Sequence, residues 1–361
     1  MKITAVIGLV LGVALLWSSL AFAEVKVTPE GKVFWDYYFN MSNYPDTYAD
    51  KAKDNFNGFE LGRTYLGARA TFNDEWMARI VYDVGRSDLV KDDGAGNLSL
   101  KKGAGPYTAF VKYAYLNYQV SDMFAIRVGQ HETPYVDVAT AAWRYRFINL
   151  SMTDKNKWDT SADLGVSVLG KLPQNFGSYQ VGLFNGEGFK APEVNEGKEL
   201  HLRATLTPFQ SMGAELKGLA LTGSYFMNWL DLPSDTTQSH WNALLHYFYQ
   251  MNADMSLSLA FEITGDKVES TVAGVTGSVD GSGYAFYGEF IFTQGVGVFG
   301  RYDSVKLNND DSQKDSTYLV AGLSYAPLKN VRFALDFQQS TYGKTGQPDD
   351  KLIFVNGEFG F

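Results

Sequence analysis

From Gly31 onward, apolar and polar residues alternate one by one in short segments. In "RATFNDEWMARIVYDV", Ala70 and Phe72 share a face with Trp76, Ala78, Ile80 and Tyr82, while Arg69, Thr71, Met77, Arg79, Val81 and Asp83 take the other. "MFAIRVGQH" sets Phe124, Ile126 and Val128 against Arg127 and His131, and "SLSLAFEIT" sets Leu257, Leu259, Phe261 and Ile263 against Ser258 and Glu262. A period of two with one polar face is the pattern of a half-buried β-strand. It predicts about sixteen strands, near 31–41, 58–72, 75–86, 107–120, 122–131, 160–172, 177–186, 198–209, 214–230, 239–251, 254–267, 281–294, 296–307, 316–327, 330–342 and 351–361.

The connections sort by length. Short ones ("FNDE", "VSDM", "PQNFG", "TPFQSMG", "QMNAD", "TQGVG", "APLKN") alternate with long polar ones at 42–57, 87–106, 132–159, 187–197, 231–238, 268–280, 308–315 and 343–350. An outer-membrane barrel with tight periplasmic turns and long external loops predicts this alternation. The polar faces carry many charges, whereas a small soluble barrel fills its interior with side chains. The expected fold is therefore all-β: a transmembrane antiparallel β-barrel of about 16 strands, lipid outside and water inside, with both termini in the periplasm.

Composition agrees with this reading. Hydrophobic residues make up 45% and aromatics 15%, with 36 Gly and only 10 Pro, yet no stretch after the first residues reaches the ~20 apolar residues of a membrane helix. Lys2, the apolar run Ile3–Trp17 and Ala21-Phe22-Ala23 have the form of a signal peptide. The expected organisation is a removed leader at 1–23 and one barrel domain at 24–361. The absence of Cys excludes disulfides, thiolate metal sites and an acylated lipoprotein. A formal charge of −9 argues against a nucleic-acid partner.

In "KLIFVNGEFGF", Ile353, Val355, Phe359 and Phe361 share one face and Asn356 and Glu358 the other. This strand is expected to close the barrel against Gly31–Phe39, because closure removes the unpaired edges that hydrocarbon cannot satisfy. A terminal Phe on a final amphipathic strand also resembles the end of bacterial outer-membrane proteins as a group. That resemblance implies recognition by the barrel-assembly machinery.

Candidate chemistry follows from the inward phase. Arg63, Arg69, Arg79, Arg127 and Arg203 fall on early strands, and Glu262, Glu289, Asp303 and Asp336 on later ones. One reading is a basic wall facing an acidic one, with a field that orients solutes. The other is that these groups pair and hold the barrel's shape. The longest loop holds "AAWRYRFINL" (Ala141–Leu150), too apolar for a free tip. It is expected to fold into the lumen as a constriction, with Arg144 and Arg146 at its narrowest point; the alternative is a loop on the rim or against a neighbouring subunit. "LNNDDSQKD" (Leu307–Asp315) is either a solvated loop or a divalent-cation site bridging lipopolysaccharide. No HExxH, GxSxG or phosphate-loop pattern occurs, so no catalytic, cofactor or metal residue is assigned.

"FELGRTYLGARATFND" (Phe59–Asp74), "YAYLNYQVSDMFAIRVGQHETPY" (Tyr113–Tyr135) and "SADLGVSVLGKLP…YQVGLFNGEGFKAPE" (Ser161–Glu193) resemble the phosphate-selective porin O/P family. The resemblance implies a homotrimeric sixteen-stranded porin that passes small hydrophilic solutes by diffusion, with a lean toward anions such as phosphate. The lysine cluster and full arginine ladder of high phosphate selectivity are not recognisable. The competing classes are a barrel enzyme of lipase or protease type, an adhesin or plugged transporter, and a soluble secreted β protein. Substrate turnover, a plug domain before the first strand, and solubility without detergent separate them in turn.

Overall fold

The computed structural model describes residues 25–45, 54–87, 89–92, 98–101, 105–193, 196–228, 236–272 and 275–361; the signal peptide expected at 1–23 lies outside the described residues. The strands are β1 (Lys26–Asn40), β2 (Asn57–Thr71), β3 (Trp76–Arg86), β4 (Leu89–Asp92), β5 (Leu98–Lys101), β6 (Tyr107–Ser121), β7 (Phe124–His131), β8 (Asp163–Lys171), β9 (Gly177–Phe184), β10 (Glu199–Leu206), β11 (Leu219–Asn228), β12 (Thr236–Gln250), β13 (Ser256–Val272), β14 (Val275–Thr293), β15 (Val296–Lys306), β16 (Asp315–Leu328), β17 (Val331–Tyr342) and β18 (Asp350–Gly360). Sixteen of them form one closed antiparallel barrel, and β4 and β5 form a separate small hairpin.

The single-residue alternation sets which side chains face out. Leu66, Ile80, Leu116, Val128, Leu259 and Leu335 are exposed on the exterior, while Asp83, Asn117, Ser167, Gln180 and Glu262 are buried on the inward face. This inverts a soluble barrel. It suits lipid, which solvates apolar side chains but offers backbone groups no hydrogen bonds.

Closure joins β18 to β1 from Lys32↔Gly360 to Asn40↔Leu352. The pairing runs to the last residue, where Gly31 and Phe361 exchange two backbone hydrogen bonds of 3.0 Å. The Phe361 ring lies across Gly31, and a Cβ at that glycine would come within 2.1 Å of the ring. Phe359 and Phe361 remain exposed on the outer face, as their phase predicts.

Two connections differ from the sequence expectation. The long polar loop expected at 268–280 is mostly strand: β13 and β14 pair as far as Val272↔Val275. Its Val and Thr residues favour strand over coil. The strand expected from 214 begins at Leu219, because Ala214–Lys217 is one turn of helix; Ala, Glu, Leu and Lys are strong helix formers. The connection between β10 and β11 is therefore long, β13 and β14 pair deep into the expected loop, and the strict short–long alternation fails at these two places.

Replacing Phe361 with Asp should lower the yield of folded barrel, read as loss of the heat-modifiable band on unboiled gels. The conductance of channels that do fold should stay unchanged. A folded yield equal to that of the unaltered protein would show that this outward ring is dispensable for closure.

Candidate functional site: a long loop inside the barrel

The 132–162 segment follows the short strand β7 and packs on inward side chains of β1, β2 and β12–β17. It opens with helix α1 (Val136–Trp143), whose sequence VDVATAAW buries Val136, Ala139, Ala142 and Trp143. The helix stops at Arg144, which turns left-handed (φ 65°) while its N–H donates to Thr140 O. A one-turn helix, α2 (Met152–Lys155), follows.

Two hydroxyls of this segment and one of the wall converge on one buried carboxylate. Tyr135 Oη and Thr153 Oγ1 donate to Glu262 Oε1 at 2.9 and 2.7 Å, and Tyr287 Oη donates to Oε2. Further along, Met152 N donates to Tyr287 Oη (3.2 Å), Tyr145 Oη to Ser324 Oγ (2.9 Å) and Asn149 Nδ2 to Tyr318 Oη (2.8 Å). Arg301 and Arg332 donate to the carbonyls of Leu150 and Arg144. Aromatic packing completes the dock: Tyr145 stacks on Phe299 with centroids 4.1 Å apart, and Phe147 meets Phe34 at 6.4 Å. Tyr135, Trp143, Tyr145 and Met152 are almost fully buried. At roughly 1.5–3 kcal/mol per large side chain removed from water, packing dominates the docking energy. The main hydrophobic core thus lies within the barrel, between loop and wall.

Docking decides what the expected acidic wall faces. Glu262, Glu289, Asp303 and Asp336 have the inward phase, but all are at most 4% exposed. Asp303 is forked by Arg301 at 2.8 and 2.6 Å. Glu289 lies 2.5 Å from Arg144 Nε and 4.0 Å from Arg332. Asp336 accepts from Gln338 and Asn356. The expectation of an open acidic wall is corrected here: all four carboxylates are buried, Glu262 and Glu289 against loop residues and Asp303 and Asp336 against wall side chains, with Glu289 at the edge of a cavity on the terminal rim.

The basic residues divide into groups. Toward the rim that carries the termini, Arg69 and Arg79 share Glu30 (3.0 and 2.7 Å), and Arg79 and Arg127 share Glu132 (2.5 and 2.8 Å). Arg203 donates to Ser178 Oγ and Thr205 Oγ1 at 2.6 and 3.1 Å. Further up the wall, Arg63 pairs with Asp83 at 3.1 Å. Arg146 reaches Tyr65 Oη at 3.5 Å and Asp154 at 3.6 Å. Arg144 and Arg146 were expected to act together, but the left-handed turn at Arg144 sends it to Glu289 and Arg146 toward β2.

Two further cations join Arg63 and Arg146. Lys112 Nζ lies over the rings of Tyr65, Tyr113 and Phe189 at 4.8, 5.4 and 5.7 Å. Lys190, on the 185–198 connection, lies beside Arg63 and over Phe110 at 5.2 Å. Tyr113, Tyr115 and Asn117 point in, and a strict period of two would turn Lys112 outward. A β-bulge pairs Val81 with Tyr113 and Tyr82 with Val111, leaving Lys112 as the extra residue and turning it inward. Nothing in a period of two marks where that step falls.

On α2, Lys155 Nζ sits 3.2 Å from the Tyr318 ring centroid. Burial, with the Arg301 guanidinium nearby and only Asp303 opposing, holds its amine down to about 7. Cavities lie on both sides of the loop. One of about 390 Å³ is lined by Arg63, Asp154, Asp159, Glu199 and Lys190 among others; one of about 620 Å³ is lined by Lys32, Arg144, Glu289, Lys329, Arg332 and Glu358 at the terminal rim. Among the described residues no His, Asp and Glu group could hold a metal ion.

A closed sixteen-stranded barrel, apolar outside and charged within, with a long loop between its fifth and sixth barrel strands, defines the class of outer-membrane porins. The chain matches the family described as phosphate-selective porin O and P over residues 36–295, and it belongs to that family. No curated protein sequence matches it significantly. Similar solved structures include an anion-selective porin from Comamonas acidovorans (13% identity, TM-score 0.64, covering 94% of this chain and 100% of that one). A loop-deletion mutant of OmpT, an outer membrane protein of Vibrio cholerae, is similar at 14% identity and TM-score 0.61 over 94% and 100% of the two chains. The outer membrane channel DcaP of Acinetobacter baumannii is similar at 12%, 0.59, 93% and 97%. At these identities the likeness is one of fold.

Replacing Glu262 with Ala strands the Tyr135 and Tyr287 hydroxyls, each at a cost of ~1–3 kcal/mol when buried and unsatisfied, while Thr153 keeps Asn242 as an acceptor. The loop should loosen, giving larger and noisier single-channel conductance while the barrel still folds. A quiet channel of unchanged conductance would remove Glu262 from the loop's anchor. A pH titration tests Lys155 separately. A group whose amine is lowered to about 7 is neutral above that pH and charged below it. Selectivity should therefore shift toward anions as pH falls from 8 to 6, and Lys155→Met should flatten that part of the curve.

Proposed function

We propose that this porin admits small hydrophilic solutes by passive diffusion, with a preference for anions such as phosphate, and that its narrowest passage lies between the long loop and the β2–β3–β6 wall. The observation that carries the reading is the asymmetry of charge. The four carboxylates of the opposite wall are buried, while Arg63, Arg146 and Lys190 gather on the remaining side with the buried Lys112 among them. Asp83 and Asp154 offset part of that charge. The family description and the anion-selective porin of Comamonas acidovorans lend the same support. In this reading Arg69, Arg79, Arg127 and Arg203 line the approach rather than the narrowest point, and Arg144 stiffens the loop.

Both termini are proposed to lie in the periplasm, with the barrel-assembly machinery recognising β18 and the opposite rim meeting lipopolysaccharide. A homotrimer is the proposed assembly, since one solved relative in fold, OmpT of Vibrio cholerae, carries the description "trimer form" (13% identity, TM-score 0.56, covering 94% of this chain and 100% of that one). The porin is proposed to have no enzymatic activity. The one Ser–His hydrogen bond among the described residues joins His246 Nε2 to Ser258 Oγ at 3.2 Å. Ser258 is 3% exposed, out of reach of a lipid or peptide.

Planar-bilayer recordings in asymmetric KCl and potassium phosphate test this. Removing one lumen cation forfeits ~1 kcal/mol of attraction at 4 Å even in bulk water, roughly a fivefold fall in anion-to-cation permeability. Arg146→Ala and Lys112→Ala should each shift the reversal potential toward cations by that order. Lys314→Ala, on an exposed loop, should do much less. Equal shifts from all three would assign selectivity to diffuse surface charge, and no conductance at all would end the channel reading.

A further inference from the structure

The cavity of about 390 Å³ has an ordered distribution of charge. It lies between the second half of the long loop (Asp154 to Ser161), the Gly186–Lys190 segment and the barrel wall. Arg63 of β2 and the neighbouring Lys190 stand at one end, where Asp154 also lines the cavity near Arg63 but is paired with Arg146. Asp159 and Glu199 line it toward β10, with Phe226 of β11, Gln238 of β12 and Lys157 also in the lining and His201 and His240 close to Asp159. Five strands separate β2 from β10 in the ring of sixteen, so the two ends approach opposite walls.

The acidic end has an acceptor with nothing to accept. Asp159 is 8% exposed; its Oδ1 takes the Thr160 N–H at 2.7 Å, but its Oδ2 takes no hydrogen bond from the protein. Glu199 is already engaged, with Oε2 2.9 Å from His201 Nε2. The surroundings are closely built. Gly186 (φ 109°) donates to Asp163 at 2.6 Å, and a Cβ there would come within 3.1 Å of Glu199. At Gly188 (φ 73°) a Cβ would meet Thr160 Oγ1 at 2.9 Å. Trp158 and Phe226 add buried apolar rings to the lining.

We propose that this cavity binds a small solute with an ammonium at one end and a carboxylate at the other, an ω-amino acid or short peptide, with the ammonium on Asp159 and the carboxylate at Arg63 and Lys190. A buried carboxylate oxygen without a donor carries an uncompensated desolvation cost. An ammonium supplies that donor and the opposite charge, and the Trp158 and Phe226 rings suit the methylenes beside it. Guanidinium and lysine at the far end match a carboxylate. The volume lies in the roughly 300–1,000 Å³ range of small-molecule sites. A solute with only one charge satisfies one end and leaves the other unmatched. The inference rests on the chain being an open channel, but not on its general anion preference.

The test is current block of the full-length porin in planar bilayers by 6-aminohexanoate, with hexanoate and glycine as probes that lack the amine or the length. Block by 6-aminohexanoate should saturate at least tenfold lower in concentration than block by either control. Asp159→Asn keeps the Oδ1 acceptor but removes the charge, and should lower the ratio of the hexanoate to the 6-aminohexanoate blocking constants about tenfold. The comparison of probes on the unaltered protein stands even if a variant fails to fold. Equal block by all three probes, or an unchanged ratio in a folded Asp159→Asn channel, overturns the proposal while leaving the porin reading intact. Absence of any conductance would instead overturn the porin reading.

Discussion

Backbone N–H and C=O groups find no partner in hydrocarbon, and this constraint governs the rest of the molecule. A sheet that crosses a bilayer must close, and here it closes through the β1–β18 pairing, sealed by the reciprocal bonds of Gly31 and Phe361. Closure with sixteen strands leaves an interior too wide for side chains alone to fill. The apolar residues that a soluble protein would place at its centre are spent on the exterior. The cohesive core must then come from elsewhere, and the 132–162 segment supplies it by carrying Tyr135, Trp143, Tyr145, Phe147 and Met152 onto the inner wall.

A loop attached to one wall cannot treat all walls alike. It docks where hydroxyls, carboxylates and aromatic rings face inward together, on β12 to β17, a wall that holds four buried carboxylates, two of them, Glu262 and Glu289, against the loop itself. Burial of such charges is costly unless each is compensated, and each one is: Glu262 by three hydroxyls, Asp303 by Arg301, Asp336 by two side-chain amides, and Glu289 by the charge of Arg144, without a hydrogen bond at its Oε2. On the opposite wall Lys112 is buried, but two other cations reach water. Arg63 retains 29% of its side-chain exposure, and the exposed Lys190 stands beside it. The charge asymmetry of the lumen is thus a consequence of where the loop finds its packing partners, beyond what the strands carry themselves.

Much of the barrel was legible because a period of two has only two phases. Once Ala70, Trp76 and Ile80 are read as one face, Arg69, Arg79 and Asp83 must take the other, and the structure gives them that side. The partner of the closing strand followed from the same logic. What was hidden is whatever shifts the phase or depends on distant residues. The bulge at Lys112 reverses a face through one unpaired residue, and no residue type announces it. The turn of helix at Ala214–Lys217 and the strand pairing through 268–280 were lost to local propensity read too coarsely. The covering of Glu262 and Glu289 depends on residues more than a hundred positions away, which no local pattern contains.

Arg144 and Arg146 show how far inference from residue type can reach. Two arginines in one aromatic segment were read as a single cationic patch, as their chemistry allows. The backbone separates them, because α1 ends in a left-handed residue that Arg144 itself provides. Its guanidinium then neutralises Glu289 while its carbonyl accepts from Arg332, which also holds Glu358 of the closing strand at 2.6 Å. One residue therefore ties the loop to the seam of the barrel, and the other stands over β2 beside Tyr65. The same side chain contributes rigidity or selectivity according to which wall it meets, and that assignment is made by the path of the chain.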